Sequence, residues 1–208
     1  MKTVRSSASS VLAGICAGIL LSAFCVGGCA ETPAQPAGGW AQSNADSEFQ
    51  RQGDRPATTK TLWGMADILA AQGKDSECEY VLKRIIQNDP KFLPAYNSLA
   101  ELQMRRGQTN TATATLQDAL RIGPADPVLL NNLGMCQLVQ RDYENALKAF
   151  DRAAAMAPGN TKYRANMAVA LGLMGREQEA MALFRQILPE DQAARNMDVL
   201  RQAREQQE

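Results

Sequence analysis

The side chains that could carry chemistry are few, and their types exclude several kinds of site. The chain contains no histidine, which excludes histidine-based catalytic triads, histidine metal ligands and histidine pH switches. The five cysteines form no C-x-x-C pair and no metal-ligand spacing. Lys and Arg together number 22, as do Asp and Glu, so the basic surplus of a nucleic-acid-binding protein is missing. Carboxylate, cysteine and lysine chemistry stay open on these grounds.

One cysteine, Cys29, has a sequence context that predicts covalent chemistry. Two basic residues near the N-terminus precede an uncharged, largely apolar run over residues 11–26. This run is short for a helix that spans a bilayer, which needs about 20 residues, but it suits a secretory signal peptide. The run leads into Val26-Gly27-Gly28-Cys29, where small residues before the thiol would let the backbone enter a peptidase cleft. Cys25 is a poorer candidate because bulky Phe24 precedes it.

This segment resembles a bacterial lipobox, which implies a lipoprotein signal peptide over residues 1–28 and lipidation of Cys29 with palmitate and related acyl chains. The alternatives are an ordinary cleaved signal, or an uncleaved anchor helix over residues 9–30. Ala30, rather than Asp, follows the cysteine. By resemblance to lipoprotein sorting in Gram-negative envelopes, this implies a lipid anchor in the periplasmic face of the outer membrane.

Residues 29–58 are predicted to form a flexible tether. They are rich in proline, glycine and small polar residues, and an apolar period does not persist along them. A flexible chain of this length has an r.m.s. span of roughly 30 Å. Such a tether would hold a folded domain clear of the membrane surface.

A period of 34 residues organises the chain from Thr59 onward. Small residues recur at two positions of the period, where close helix crossings would need them, and large apolar residues recur beside them. The first small set is Ala66, Ala100, Gly134 and Ala168; the second is Cys78, Ala112, Ala146 and Ala180; the large set is Leu82, Leu116, Phe150 and Phe184. Proline recurs at Pro90, Pro124 and Pro158, where it would end each connection.

This pattern resembles the tetratricopeptide repeat (TPR), which implies an all-α superhelix of four helix-turn-helix repeats. The repeats would cover residues 59–92, 93–126, 127–160 and 161–190. The predicted helices lie near residues 59–72, 75–88, 93–106, 109–121, 127–140, 143–156, 161–174 and 177–187. Glycine would end most first helices in a left-handed conformation, with Arg141 replacing it in the third repeat.

Residues 191–208 are predicted to form a C-terminal capping helix. Ala194, Met197, Leu200 and Ala203 would cover the open end of the stack. Cys78 and Cys136 fall two repeats apart, so we expect their Cα atoms to lie beyond the roughly 7 Å that a disulfide allows. Both thiols are expected to be buried and unreactive.

The resemblance also implies where a ligand would bind, because first helices line the inner, concave surface in this family. The predicted peptide or partner-binding groove consists of Asn97, Glu101, Arg105, Asn131, Asn132, Met135, Val139 and Asn166. Asparagine amides both donate and accept, so they could pair with the backbone of an extended peptide. Alternatively, they bond to neighbouring helices or stay hydrated. Met104, Leu138 and Leu173 are predicted to extend the groove with apolar surface.

Asp67 and Glu101 could face this same groove, since they occupy the same position of successive repeats. Two carboxylates on a helical surface are usually solvated charges, and the chain contains neither a glycine-rich phosphate loop nor a Ser-x-x-Lys pattern. We therefore predict that the protein is not an enzyme and holds no metal or cofactor.

The end of the chain narrows the resemblance further. Residues 164–176 (RANMAVALGLMGR) and 188–201 (LPEDQAARNMDVLR) resemble the TadD family of repeat lipoproteins from the tight-adherence (Tad/Flp) pilus assembly system. This implies a scaffold for pilus assembly or secretion, with a secretin or another assembly component as protein partner and no nucleic acid. Two alternatives stay open: a pilotin or scaffold of another envelope complex, such as a type IV pilus or outer-membrane assembly machine, and an adaptor for a periplasmic enzyme.

Overall fold

The computed structural model describes residues 57–206, which form nine α-helices and no strand. The first eight helices pair into four consecutive hairpins, and each hairpin packs against the next. The helices are α1 (Thr59–Ala71), α2 (Asp75–Asn88), α3 (Leu93–Arg105), α4 (Thr109–Ile122), α5 (Pro127–Val139), α6 (Tyr143–Met156), α7 (Thr161–Leu173), α8 (Glu177–Ile187) and α9 (Glu190–Glu205). The predicted all-α stack of four hairpins is confirmed. The predicted signal peptide, Cys29 and the tether up to residue 56 lie outside the described residues.

A left-handed residue follows the first helix of every hairpin and sets the turn. Gly73, Gly107 and Gly175 have φ of 68°, 72° and 79°, and Arg141 has φ of 64°. In each case the next residue donates its N–H to the carbonyl five positions back, as Asp142 does to Gln137 at 2.9 Å, which is the hydrogen bond of a Schellman motif. Arg141 therefore makes the same turn as the glycines, at a backbone cost of about 1–2 kcal/mol.

The core forms where the two helices of a hairpin cross, and it follows the small and large positions of the 34-residue period. Ala146 and Phe150 on α6 are fully buried, with 0% of their surface exposed. A Cβ atom added at Gly134 on α5 would lie 2.6 Å from Cε1 of Phe150. The phenyl ring thus occupies the space that a side chain at residue 134 would need, which explains why this repeat combines glycine with phenylalanine.

Ala146→Leu is expected to lower the melting midpoint of the domain. Three added carbons have no free volume beside Leu138 and Phe150, which share the core cluster of Ala146. Overpacking costs roughly 1–3 kcal/mol, which corresponds to a fall of about 3–10 °C in a domain of this size. Thermal unfolding followed by circular dichroism measures the shift. Ala155→Leu, at an exposed position of the same helix, is the control, and an equal midpoint for both variants would contradict a tight crossing at residue 146.

Helix α9 packs against both helices of the fourth hairpin and closes the end of the stack. Its buried residues are Ala193, Met197, Leu200 and Ala203. The prediction of Ala194 on this face is wrong, because the buried positions follow spacings of four, three and three residues, and this rotates residue 194 to solvent. Arg201 and Arg204 both donate to Glu177 on α8, at 2.9 and 3.1 Å, and so fix the helix at its polar edge.

Cys78 and Cys136 are both free and buried, so the prediction that they do not pair is confirmed. Burial raises the pKa of the Cys136 thiol to about 11 and also raises the pKa of Cys78. At neutral pH both groups are therefore protonated thiols, and the thiolate is the reactive form. Within residues 57–206, none of the helices is both long and apolar enough to cross a bilayer.

Candidate functional site

Four asparagines on the first helices of three successive hairpins form one continuous ladder of hydrogen bonds. Asn166 on α7 donates from Nδ2 to Oδ1 of Asn131 on α5 at 2.7 Å, and Asn131 donates in turn to Oδ1 of its neighbour Asn132 at 3.1 Å. Asn132 donates to Oδ1 of Asn97 on α3 at 2.6 Å. The amides thus connect α3, α5 and α7 along a single face, and we call this set the asparagine ladder.

Glu101 on α3 ends the asparagine ladder and fixes its direction. Its Oε1 atom accepts from Nδ2 of Asn97 at 2.9 Å and from Nδ2 of Asn132 at 3.2 Å. An ionised carboxylate only accepts hydrogen bonds, so both amides must turn their NH₂ groups toward it. Every further amide then donates toward Glu101, and the Oδ1 atom of Asn166 is left as the acceptor at the far end.

The structure therefore brings together five of the predicted groove residues. Among the interpretations of the asparagines, hydrogen bonding to neighbouring helices matches the contacts that the structure shows. The asparagines are only half-buried, so one side of the asparagine ladder still faces solvent. Each amide oxygen has two lone pairs and each NH₂ group has two hydrogens. Unused donors and acceptors consequently remain along the face, as an extended backbone would need.

Met135 and Val139 extend this face along α5. They follow Asn132 by three and seven residues, which places all three side chains on one side of the helix. Val139 is 39% exposed, whereas Met135 is half-buried and packs partly against the core of the third and fourth hairpins. Val139 therefore offers the more accessible apolar surface.

The predicted apolar extension of the groove is wrong at two positions. Leu138 is fully buried and Leu173 is 4% exposed, and both belong to the core cluster that includes Met197 and Leu200 of α9. A Cβ atom added at Gly172 would lie 2.6 Å from Cδ1 of Leu200. Helix α9 thus covers the last turn of α7, and the open face ends near Asn166.

Arg105 is the last residue of α3, and its side chain forms an ion pair with the first hairpin. Its guanidinium donates to Oδ1 of Asp75 on α2 at 3.3 Å, and the adjacent Arg106 pairs with Glu79 on the same helix. The pKa of Glu79 is lowered, chiefly by its hydrogen bond with Lys83 and then by the charges of Lys83 and Arg106. These ion pairs join the first two hairpins.

A small cavity of about 90 Å³ lies between α1, α2 and α3, next to the end of the asparagine ladder. Asp67 and Glu101 both line it, which confirms the expectation that these carboxylates face the same groove. Arg105 lies at the same cavity, and Trp63, Leu82 and Leu102 form apolar walls. The sequence alone did not predict this cavity.

A second groove, of about 510 Å³, was missed from the sequence and lies on the side of the second helices, between α6, α7 and α8. Its floor is apolar and its rim is charged. The floor consists of Leu147, Met167, Leu171 and Leu183, and the rim of Lys148, Asp151, Arg176 and Glu179. The signal was present in the period, because Leu147 takes the position that Glu79 and Thr113 occupy in the first two repeats.

The groups that meet on this face are hydrogen-bonding and apolar side chains. In the part of the chain that the structure describes, no three Cys, Asp or Glu side chains converge as metal ligands would. Burial raises the pKa of the Cys136 thiol to about 11, which opposes its ionisation. What converges is a row of amides, two carboxylates and apolar side chains from the first helices of the four hairpins, α1, α3, α5 and α7.

Comparison with known proteins identifies the repeats. Two tetratricopeptide repeat profiles match residues 97–161 and 137–203, and together they span about half of the chain. Protein O-mannosyl-transferase TMTC1 of Mus musculus is 22% identical over 64% of this chain, and superkiller complex protein 3 of the same species is 34% identical over 41%. The chain spans only 15% and 5% of the lengths of these two relatives.

Solved structures share the fold over more of the chain. MamA (41-end) from Desulfovibrio magneticus RS-1 has a TM-score of 0.59 at 15% identity, covering 90% of this chain and 97% of its own. YrrB, described as a TPR protein with an unusual peptide-binding site, has a TM-score of 0.59 at 18% identity, covering 80% of this chain and 86% of its own. At identities this low, the likeness shows a shared fold alone.

Proposed function

Since this chain is a tetratricopeptide repeat protein, we propose that it is a scaffold that binds an extended segment of a protein partner along the asparagine ladder and catalyses no reaction. Tetratricopeptide domains bind protein partners. The single observation that carries the proposal is the row of half-buried amides across α3, α5 and α7. These amides are held in one direction by Glu101, so their free donors and acceptors are preorganised, which lowers the entropy cost of binding.

The proposed place of action is the cell envelope. The lipobox-like sequence at Val26–Cys29 supports a lipid anchor at Cys29, and Ala30 supports sorting to the periplasmic face of the outer membrane. The residues between Cys29 and α1 would then separate the repeat domain from the membrane.

The proposed process is assembly of a Tad/Flp pilus, with an outer-membrane secretin or another assembly component as partner. Support comes from the similarity of residues 164–176 and 188–201 to the TadD family. The second of these segments contains most of α9, so the similarity includes the helix that bounds the open face near Asn166.

A site-specific photocrosslink in cells tests both the surface and the partner. A photoreactive phenylalanine derivative at Val139, on the face of the asparagine ladder, should capture a pilus-assembly protein that mass spectrometry identifies. The same derivative at Tyr80, which is 66% exposed on α2, is the control and should not. Capture from Tyr80 but not from Val139 would contradict the groove, and capture of a type IV pilus or other envelope component from Val139 would replace the Tad/Flp assignment.

A further inference from the structure

The cavity between α1, α2 and α3 combines an acidic mouth with apolar and aromatic walls. We propose that it binds one basic side chain, Lys or Arg, of the segment that lies along the asparagine ladder. The inference rests on the proposed function, because the ladder delivers that segment to Glu101 at the cavity mouth. It specifies one feature of the partner: the bound segment must carry a positively charged side chain at one fixed position.

The charges at the mouth favour a cation. Asp67 and Glu101 both line the cavity, and neither forms an ion pair within residues 57–206. Arg105 is the one cation among the lining residues, and its guanidinium is directed to Asp75 on α2. The three ionised lining groups therefore leave a net charge of −1, and a basic side chain complements it.

The asparagine ladder prepares Glu101 for such a ligand. Asn97 and Asn132 both donate to Oε1, while Oε2 accepts no hydrogen bond from the described residues. Two donors on one oxygen hold the carboxylate in place. The second oxygen is then available for a charge-assisted hydrogen bond, which is stronger than a neutral one.

The walls suit the rest of a long basic side chain. Leu82 and Leu102 are buried and offer apolar surface to methylene groups, as Lys and Arg stems require. Trp63 contributes an aromatic ring that packs edge-on against Phe92 with centroids 5.2 Å apart. An indole attracts a cation placed over its face, and the cavity of about 90 Å³ has room for the end of one such side chain.

Selection from a random dodecapeptide library displayed on phage tests the inference with the full-length protein in detergent micelles. Selected peptides should be enriched in Lys or Arg at one position relative to the input library. A selected peptide in which norleucine replaces that residue should bind about tenfold more weakly. Asp67→Asn, which lies outside the asparagine ladder, should remove most of this difference, whereas Asp151→Asn on α6 should keep it.

Two outcomes separate this inference from the proposed function. Selected peptides whose binding is lost in the Asn132→Ala variant, but which show no enrichment in Lys or Arg, would overturn the basic-side-chain proposal. The proposed binding along the asparagine ladder would then still stand. If no selected peptide depends on Asn132, both proposals fail. A basic preference that Asp67→Asn leaves unchanged would also overturn the cavity as its origin.

Discussion

Cys29→Ser is expected to abolish both incorporation of labelled palmitate and retention of the protein in the membrane fraction. The thiol is the nucleophile that lipid attachment requires, and a serine hydroxyl is a far weaker one at neutral pH. Stable membrane association needs more than one acyl chain or an equivalent second signal. Within residues 57–206 no helix is long and apolar enough to cross a bilayer, so any retention of this variant would have to come from residues 1–56.

Cys25→Ser is the matched control for this experiment. It changes a cysteine four residues earlier, where Phe24 replaces the small residue that a lipobox needs. This variant should keep its label and its membrane retention. Persistent labelling of Cys29→Ser would show that Cys29 is not the lipidated residue, and loss of label from the Cys25 variant would move the modification there.

The helices could be predicted closely because helix crossings restrict side-chain size on both partners. Ala112, Ala146 and Ala180 have no exposed surface, and their spacing of 34 residues sets the register of every hairpin. One departure from the pattern, Arg141, had no structural consequence, since its backbone adopts φ of 64° like the glycines at the equivalent turns. Steric rules of this kind are local and can be read along the chain.

The surface could be predicted only in part, because exposure depends on which elements meet. Leu173 occupies a groove position of the repeat, but α9 returns over α7 and buries it. The sequence indicated a capping helix without indicating its rotation, so Ala194 was assigned to the face that Ala193 occupies. One residue of phase in a helix corresponds to 100°, which separates a buried position from an exposed one.

The asparagine ladder shows a second limit. Residue type establishes that an amide donates and accepts, but its partners depend on the distance between α3, α5 and α7. The sequence left open whether the amides bond to a ligand, to neighbouring helices or to water. The structure joins them to one another and to Glu101, so a bound segment would meet an ordered row instead of separate flexible side chains.

The double change Asn132→Ala and Asn166→Ala is expected to weaken the complex with the protein partner by roughly ten- to a hundredfold. Losing a buried amide contact costs about 0.5–1.5 kcal/mol, more when a partner is left unsatisfied, and about 1.4 kcal/mol corresponds to one decade of affinity. Asn132 also supplies two bonds of the asparagine ladder, so its loss frees Asn97 and Glu101 to move. Quantitative pull-down from intact cells after crosslinking measures the effect, together with secretin or pilus assembly.

Lys83→Ala with Arg84→Ala provides the control, on the exposed side of α2. Lys83 pairs with Glu79 at 2.7 Å and its side chain is 56% exposed, and such surface pairs contribute little stability. Both double variants should keep their helical circular dichroism, because neither pair contributes to the core clusters. If the α2 variant loses the partner while the asparagine variant retains it, binding lies on the second helices or in residues 1–56. The groove between α6, α7 and α8 would then become the leading candidate, because its volume of about 510 Å³ exceeds the 90 Å³ of the cavity between α1, α2 and α3.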